Sequence, residues 1–142
     1  MNFFAYGSLM FPEIWRAVVG REFATVEGTA KGFAIFRVRD DVYPGIAEAT
    51  DREHVRGVVY LDVDETSLAH LDRFEGDFYE RRNLLVDCDD GSSCSAGAYV
   101  VPATNLSVLT AEAWDRDAFL ATGGLEHFFN RFQGFSRVAK GD

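Results

Sequence analysis

No stretch of this 142-residue chain approaches the ~20 consecutive apolar residues that a membrane-spanning helix requires. Nothing at Met1-Asn2-Phe3-Phe4 has the basic start or cleavage-like pattern of an export signal, so a cytoplasmic protein is expected. Basic residues are scarce: 14 Lys and Arg against 23 Asp and Glu leave a net charge of -9 and an isoelectric point near 4.7. Nucleic-acid phosphates and anionic membrane surfaces both select a basic face, so neither is an expected partner. Histidine is limited to His54, His70 and His127, no two of them at metal-ligand spacing, and there is no cysteine cluster beside them. No metal and no cofactor are expected from such a set. The two cysteines, Cys88 and Cys94, flank Asp89-Asp90-Gly91 and can face each other across a hairpin. Without an export signal they are expected as reduced thiols. Repeats, low-complexity runs and linkers are missing too, which predicts one domain over residues 1–142.

Apolar and aromatic side chains are abundant. A hydrophobic fraction of 47% with 13 Phe describes a globular protein with a Phe-rich interior, in a chain long enough to bury a core. Phe3-Phe4-Ala5-Tyr6 reads as a short buried strand, broken by Gly7-Ser8. Pro12 is then well placed as the first residue of a helix to about Val19, with Gly20 beyond it. Residues 23–38 are rich in Val, Thr, Phe and Ile and interrupted by Gly28 and Gly32, which predicts one long bent strand or two short ones. Tyr43-Pro44-Gly45 reads as a turn in which the proline holds Tyr43 extended. Ile46 to Ala49 follows as a short strand, and Val55 to Val63 as a clearer one. Phe78 to Cys88 and Ser95 to Val101 read as strands joined by the acidic turn, Gly97 marking a bend or a close backbone approach. In the tail, Thr110 is placed to cap a helix through Trp114 and Phe119, and Gly123-Gly124 interrupt the chain. Leu125, Phe128, Phe129 and Phe132 then recur at the spacing of a helical packing face. Glycine-punctuated strands with few helices between them predict a curled, mostly antiparallel sheet or barrel.

Two stretches carry candidate chemistry. In the first, Leu68, Leu71 and Phe74 recur at helical spacing, Asp64 is placed to cap that helix, and Gly76 falls just past its end. Glu75 then sits at the negative end of the helix dipole, which raises its pKa. Burial between Phe74 and Phe78 would carry it toward neutrality, where a carboxylate both takes and gives a proton. On spacing alone two readings stand: a general acid/base, and a solvated helix-end glutamate with no role. In the second stretch, strand, glycine turn and helix let the N–H groups of Gly7, Ser8 and Leu9 converge on an anion, or form an ordinary turn. Arg81 and Arg82, as neighbours on a strand, face opposite sides, so only one can point inward. A structural ion pair to Asp72 or Asp77 is preferred over a bidentate grip on substrate.

Taken together and in order, these segments resemble the gamma-glutamylcyclotransferase-like superfamily. Phe4-Ala5-Tyr6-Gly7-Ser8-Leu9 is similar to its YGSL loop. Leu71-Asp72-Arg73-Phe74-Glu75-Gly76 with Tyr79-Glu80-Arg81-Arg82 resembles its LD-x-FE-x-x-x-YERR segment. Tyr43-Pro44-Gly45-Ile46 is similar to a YP-A-I element with Gly45 in place of the usual alanine. Val55 to Tyr60 and Ala98-Tyr99-Val100 match two of its strands, and Trp114-Asp115 with Phe128-Phe129 looks closest to the plant avirulence-induced-gene-like branch.

The resemblance implies an α+β fold, a small closed or nearly closed mixed β-barrel of about six strands flanked by helices, with a cavity at one end. It implies a transferase- or lyase-type reaction on a small γ-glutamyl amine, peptide or amino acid, giving 5-oxoproline and a free amine. Glu75 would be the acid/base and the Tyr6-Gly7-Ser8-Leu9 loop would hold the amino-acid end of the substrate. Tyr6, Tyr79 and Tyr99 would line the pocket or orient Glu75; each is equally readable as a core tyrosine. Nucleophile and electrophile belong to one substrate, so the reaction calls for no metal or cofactor. Two alternatives keep the pocket: removal of a γ-glutamyl protecting group, and a binding module that turns nothing over.

Overall fold

The computed structural model describes residues 1–130. Strand β1 (Asn2–Ala5) is paired along both of its edges and is buried at Phe3, Phe4 and Ala5. On one side it runs antiparallel to β5 (His54–Tyr60), with Phe3 opposite Tyr60. On the other it runs parallel to β7 (Ser93–Val100), with Phe3 opposite Gly97. From β5 the sheet continues through β2 (Thr25–Lys31) to β6 (Glu80–Cys88), and β6 returns to β7 in a hairpin from Glu80↔Val100 to Asp87↔Ser93. The order β1-β5-β2-β6-β7 therefore comes back to β1, a closed five-stranded mixed barrel. Strands β4 (Pro44–Glu48), β3 (Phe33–Val38) and β8 (Leu109–Ala113) extend the sheet, β4 joining β7 in parallel at Ile46↔Val100. Helices α1 (Pro12–Val19), α2 (Glu65–Phe74) and α3 (Arg116–Ala121) flank the sheet, and residues 124–130 are helical. The α+β barrel implied by the resemblance is thus present as a five-membered ring with three added strands.

Side chains alternate across the barrel wall as a pleated strand demands. Phe4 points inward to Val55, Val59, Val86, Ala98 and Val100, while Phe3 points outward to Trp15, Leu71 and Tyr99 beneath the helices. Trp15 lies flat on Tyr60, with ring centroids 3.6 Å apart, and so fastens α1 to the barrel. A ring this narrow brings backbones together. A Cβ at Gly57 would lie 2.7 Å from the Phe4 ring and against the Ala5 carbonyl, and one at Gly28 would lie 2.7 Å from Val86. Among the described residues no helix is long and apolar enough to cross a membrane.

Local signals hold where the chain supplies its own partners. Pro12 opens α1, Gly20 closes it at φ +80°, and Gly32 separates β2 from β3 at φ +84°. They fail where tertiary pairing intervenes. Pro44-Gly45 begins a strand rather than forming a turn; a proline is tolerated at that first position, where its missing N–H costs no ladder bond. Strand β5 stops at Tyr60, not Val63: Asp62 is left-handed at φ 55°, and the Val63 N–H donates to the Met1 carbonyl. The expected helix from Thr110 is instead strand β8, because the open edge of β3 offers backbone partners that outweigh a capping signal. The Thr110 hydroxyl donates to the Arg37 carbonyl, and it is Asp115 that caps the short α3. Cys88 and Cys94 are free thiols with sulfurs 3.5 Å apart on the β6–β7 hairpin. Phe132 lies outside the described residues.

The glycine at 57 provides a direct check on the packing. Gly57→Ala is expected to destabilise the protein by roughly 1–3 kcal/mol through forced displacement of Phe4 and the β1 backbone. Equilibrium denaturation by urea measures this, and an unchanged midpoint would contradict the strand spacing.

Candidate active site

Helix α2 starts with Asp64, whose carboxylate accepts from the Ser67 N–H at 3.4 Å and the Ser67 hydroxyl at 2.5 Å. It buries Leu68 and Leu71 and ends at Phe74. The Glu75 N–H still donates to the Leu71 carbonyl at 3.0 Å, but the backbone of Glu75 is extended (φ -76°, ψ 150°). Glu75 is therefore the C-cap, and the chain leaves the helix axis there. Gly76 lies just past the helix as expected, yet it is not among the glycines with a left-handed backbone. The Tyr79 N–H then donates to the Gly76 carbonyl at 3.3 Å, a turn that brings the Phe78 and Tyr79 rings to 4.4 Å.

Opposite this junction is the turn after β1. Its own hydrogen bonds run from the Met10 N–H to Gly7 and from the Phe11 N–H to Ser8, at 3.0 and 3.1 Å. The N–H groups of Gly7, Ser8 and Leu9 precede that ladder and take no part in it. Tyr60 pins the turn from behind, its hydroxyl donating to the Leu9 carbonyl at 2.8 Å. Gly7 has to be glycine for packing reasons: a Cβ there would lie 2.6 Å from the Pro44 ring.

A cavity of about 270 Å³ separates the two features. Glu75, Tyr6, Gly7, Ser8, Leu9, Tyr79 and Tyr99 all line it, so every site residue named from sequence shares one space. Phe74, Phe78 and Phe128 supply apolar wall, and Asp41, Tyr43 and Pro44 close the side toward β4. Asp41 carried no motif and was not legible in the sequence. Phe128 was read as core and is core, 2% exposed and edge-on to Phe74 at 5.6 Å, while also forming wall.

The tyrosine hydroxyls are tied down. Tyr6 donates to the Tyr99 carbonyl, Tyr79 to the Pro44 carbonyl and Tyr99 to Asp72 Oδ1, each at 2.6 Å. Burial raises the pKa of all three, helped by the negative charges of Glu75 or Asp72, so they remain protonated. Arg81 Nη2 reaches Asp72 Oδ2 at 3.3 Å. Arg82 turns the other way to Glu48 and Glu80, both at 3.0 Å. Neither arginine lines the cavity. Glu75 is half-buried, its open surface facing the cavity. Burial pushes its carboxyl up to about 8, with the Asp72 charge as the smaller cause. The enclosure can thus exchange a proton near neutral pH beside a row of backbone donors.

Known proteins share both the sequence and the shape. Residues 3–116 match the family model described as gamma-glutamyl cyclotransferase, AIG2-like. AIG2-like protein A of Arabidopsis thaliana is 33% identical over 91 residues, covering 64% of this chain and 54% of that protein. AIG2-like protein D of the same plant is 36% identical over 89 residues, covering 63% and 58%. The chain spans about half the length of these curated relatives. A solution structure from Arabidopsis thaliana superimposes with a TM-score of 0.70 at 25% identity, covering 98% of this chain and 83% of that one. A yeast gamma-glutamyl cyclotransferase specific to glutathione shares the fold, with a TM-score of 0.61 at 13% identity over 80% and 73% of the two chains. On the family model and the barrel together, this chain belongs to the gamma-glutamyl cyclotransferase, AIG2-like family.

Proposed function

We propose that the chain is an enzyme that cyclises a γ-glutamyl amine, peptide or amino acid to 5-oxoproline and releases the free amine. The observation that carries this reading is the half-buried Glu75 carboxyl facing the Gly7–Leu9 turn across one small cavity. The α-amino nitrogen of the substrate attacks its own γ-carbonyl carbon, the five-membered lactam forms, and the bond to the leaving nitrogen breaks. Glu75, as carboxylate, takes a proton from the α-ammonium group and gives it to the leaving nitrogen; the second proton shed by the attacking nitrogen follows the same route, so the amine departs as an ammonium ion. The N–H groups of Gly7, Ser8 and Leu9 donate to the negatively charged oxygens of the substrate, its α-carboxylate or the developing oxyanion. Both reacting atoms belong to one molecule, so folding it in the cavity draws on the ~7–11 kcal/mol available from proximity. The reaction written this way requires no external nucleophile, metal or cofactor.

Incubation with glutathione, γ-glutamyl amino acids and γ-glutamyl-lysine-type amines is expected to yield 5-oxoproline, quantified by mass spectrometry. Glu75→Gln should lower turnover by ~10²-fold or more while the fold persists. Saturable binding of these compounds without any product would replace the enzyme by a binding module.

The proton on Glu75 also has a signature in stability. An unfolded chain releases it near 4.5, whereas the folded protein holds it to about 8, so folded protein binds the extra proton between those values. Stability from this group is full below the lower value and is lost as pH rises through the upper one. Glu75→Gln should therefore gain on the wild type between pH 4.5 and pH 9 by roughly 2–4 kcal/mol, read by denaturant titration at each pH. Parallel curves for the two proteins would mean that the carboxyl is solvated.

A further inference from the structure

Asp72 has no assigned part in the chemistry above, yet its placement is unusually constrained. It sits on the last turn of α2, three residues before Glu75, so the two carboxyl groups lie on neighbouring positions of one helix end. Its two oxygens are held by different partners from different strands. The Tyr99 hydroxyl of β7 donates to Oδ1 at 2.6 Å, and Arg81 of β6 reaches Oδ2 at 3.3 Å. A surface aspartate meant only to satisfy Arg81 would not need a buried tyrosine as well. Tyr99 in turn accepts the Tyr6 hydroxyl on its carbonyl, so the clamp is continuous with the cavity wall.

We propose that Asp72, clamped by Tyr99 and Arg81, is a positioning residue that sets the charge state of Glu75 through space. The proposal rests on the acid/base reading of Glu75. A fixed negative charge one helical turn away disfavours a second one, so Asp72 adds to burial in holding the proton on Glu75 until the substrate's ammonium group enters the cavity, favours the carboxylate and releases that proton to solvent. Arg81 partly offsets that charge from the far side, which makes the ion pair a graded control rather than a simple repulsion. The other groups facing Glu75 are accounted for. Tyr6 from β1, Tyr79 from the segment before β6 and Tyr99 from β7 are neutral phenols. Asp41, from the turn between β3 and β4, is the other carboxylate among the described residues lining the cavity. Arg73 and Asp77, adjacent in sequence, are exposed. Removing either member of the Asp72–Arg81 pair therefore changes the field at Glu75 with a known sign.

Two substitutions with opposite expectations test this. Asp72→Asn keeps an acceptor for the Tyr99 hydroxyl but deletes the charge, so ionisation of Glu75 should move to lower pH by roughly one unit. Arg81→Met leaves Asp72 uncompensated, and the ionisation should move upward by a smaller amount. The midpoint is read directly from the carboxyl stretching band by infrared difference titration, with Glu75→Gln assigning the band, and in parallel from the rising limb of kcat/KM against pH. Opposite displacements support the proposal. Loss of amplitude with unmoved midpoints would reduce Asp72 to a structural role and overturn it. Arg81→Met decides the matter alone where Asp72→Asn weakens the fold. The infrared reading needs no turnover: opposite shifts without 5-oxoproline would retain the coupling and reject the enzyme, whereas turnover with an unmoved midpoint would do the reverse.

Discussion

A carboxyl group enclosed by aromatic rings, in a cavity with no arginine or lysine among its described lining residues, remains buried at neutral pH by keeping its proton. That constraint accounts for the form of the α2–β6 junction. Ending the helix at Phe74 and extending the backbone at Glu75 turns the chain that follows away from the helix axis, while the bond to Leu71 keeps Glu75 itself fixed on the last turn. Phe74 before it and Phe78 after it then close over the group from both directions. Both neighbouring arginines are drawn off to other acids, Arg81 to Asp72 and Arg82 to Glu48 and Glu80. Had Arg81 pointed into the cavity, a cation beside Glu75 would have restored an ordinary acidic carboxylate unable to return a proton near pH 7.

The tyrosines around the cavity are better understood as girders than as reagents. Four hydroxyls each donate their single proton to a fixed acceptor: Tyr6 to Tyr99, Tyr79 to Pro44, Tyr60 to Leu9 and Tyr99 to Asp72. Their pKa values are raised, so none is poised to act as a base. What the bonds accomplish is registration of elements far apart in sequence. Tyr6 links β1 to β7, Tyr79 links the α2–β6 loop to β4, and Tyr60 links β5 to the Gly7 turn. The proton-transfer work on this view falls to one carboxyl, and charge stabilisation falls to backbone amides. Such a division suits a reaction in which the substrate supplies its own nucleophile.

Much of this was legible in the sequence because local chemistry determined it. Asp64 and Phe74 bound a helix with an obvious cap and apolar face, and Glu75 stands out as the carboxylate between two phenylalanines at its end. Gly7 announces a break after an apolar strand. The positions that misled are those whose partners lie elsewhere in the chain. Thr110 looks like a helix cap until the free edge of β3 takes residues 109–113 into the sheet. Pro44-Gly45 looks like a turn until antiparallel pairing with Phe36 and Arg37 of β3 makes it a strand start. Asp41 is an ordinary loop aspartate until the fold places it on the cavity wall. The roles of Tyr6 and Tyr99 stayed open between core and site because they are both: buried to 7% and 6% exposure and lining the cavity at once.

Closure of the barrel and assembly of the site are one event rather than two. Strand β1 joins the ends of the sheet into a ring, antiparallel to β5 and parallel to β7. The turn carrying Gly7, Ser8 and Leu9 follows β1 directly, so its location is fixed by that same closure. On one flank β5 delivers Tyr60 to hold the Leu9 carbonyl, and on the other β7 delivers Tyr99 to receive the Tyr6 hydroxyl. Tyr99 then reaches across to Asp72, at the end of the helix that presents Glu75. The amides and the carboxyl come from segments some 65 residues apart in the chain, yet the path between them runs through two hydrogen bonds of 2.6 Å and one turn of helix. An open sheet with the same strands would leave β1 free to slide relative to β7, and the cavity would lose its geometry before the core lost its packing.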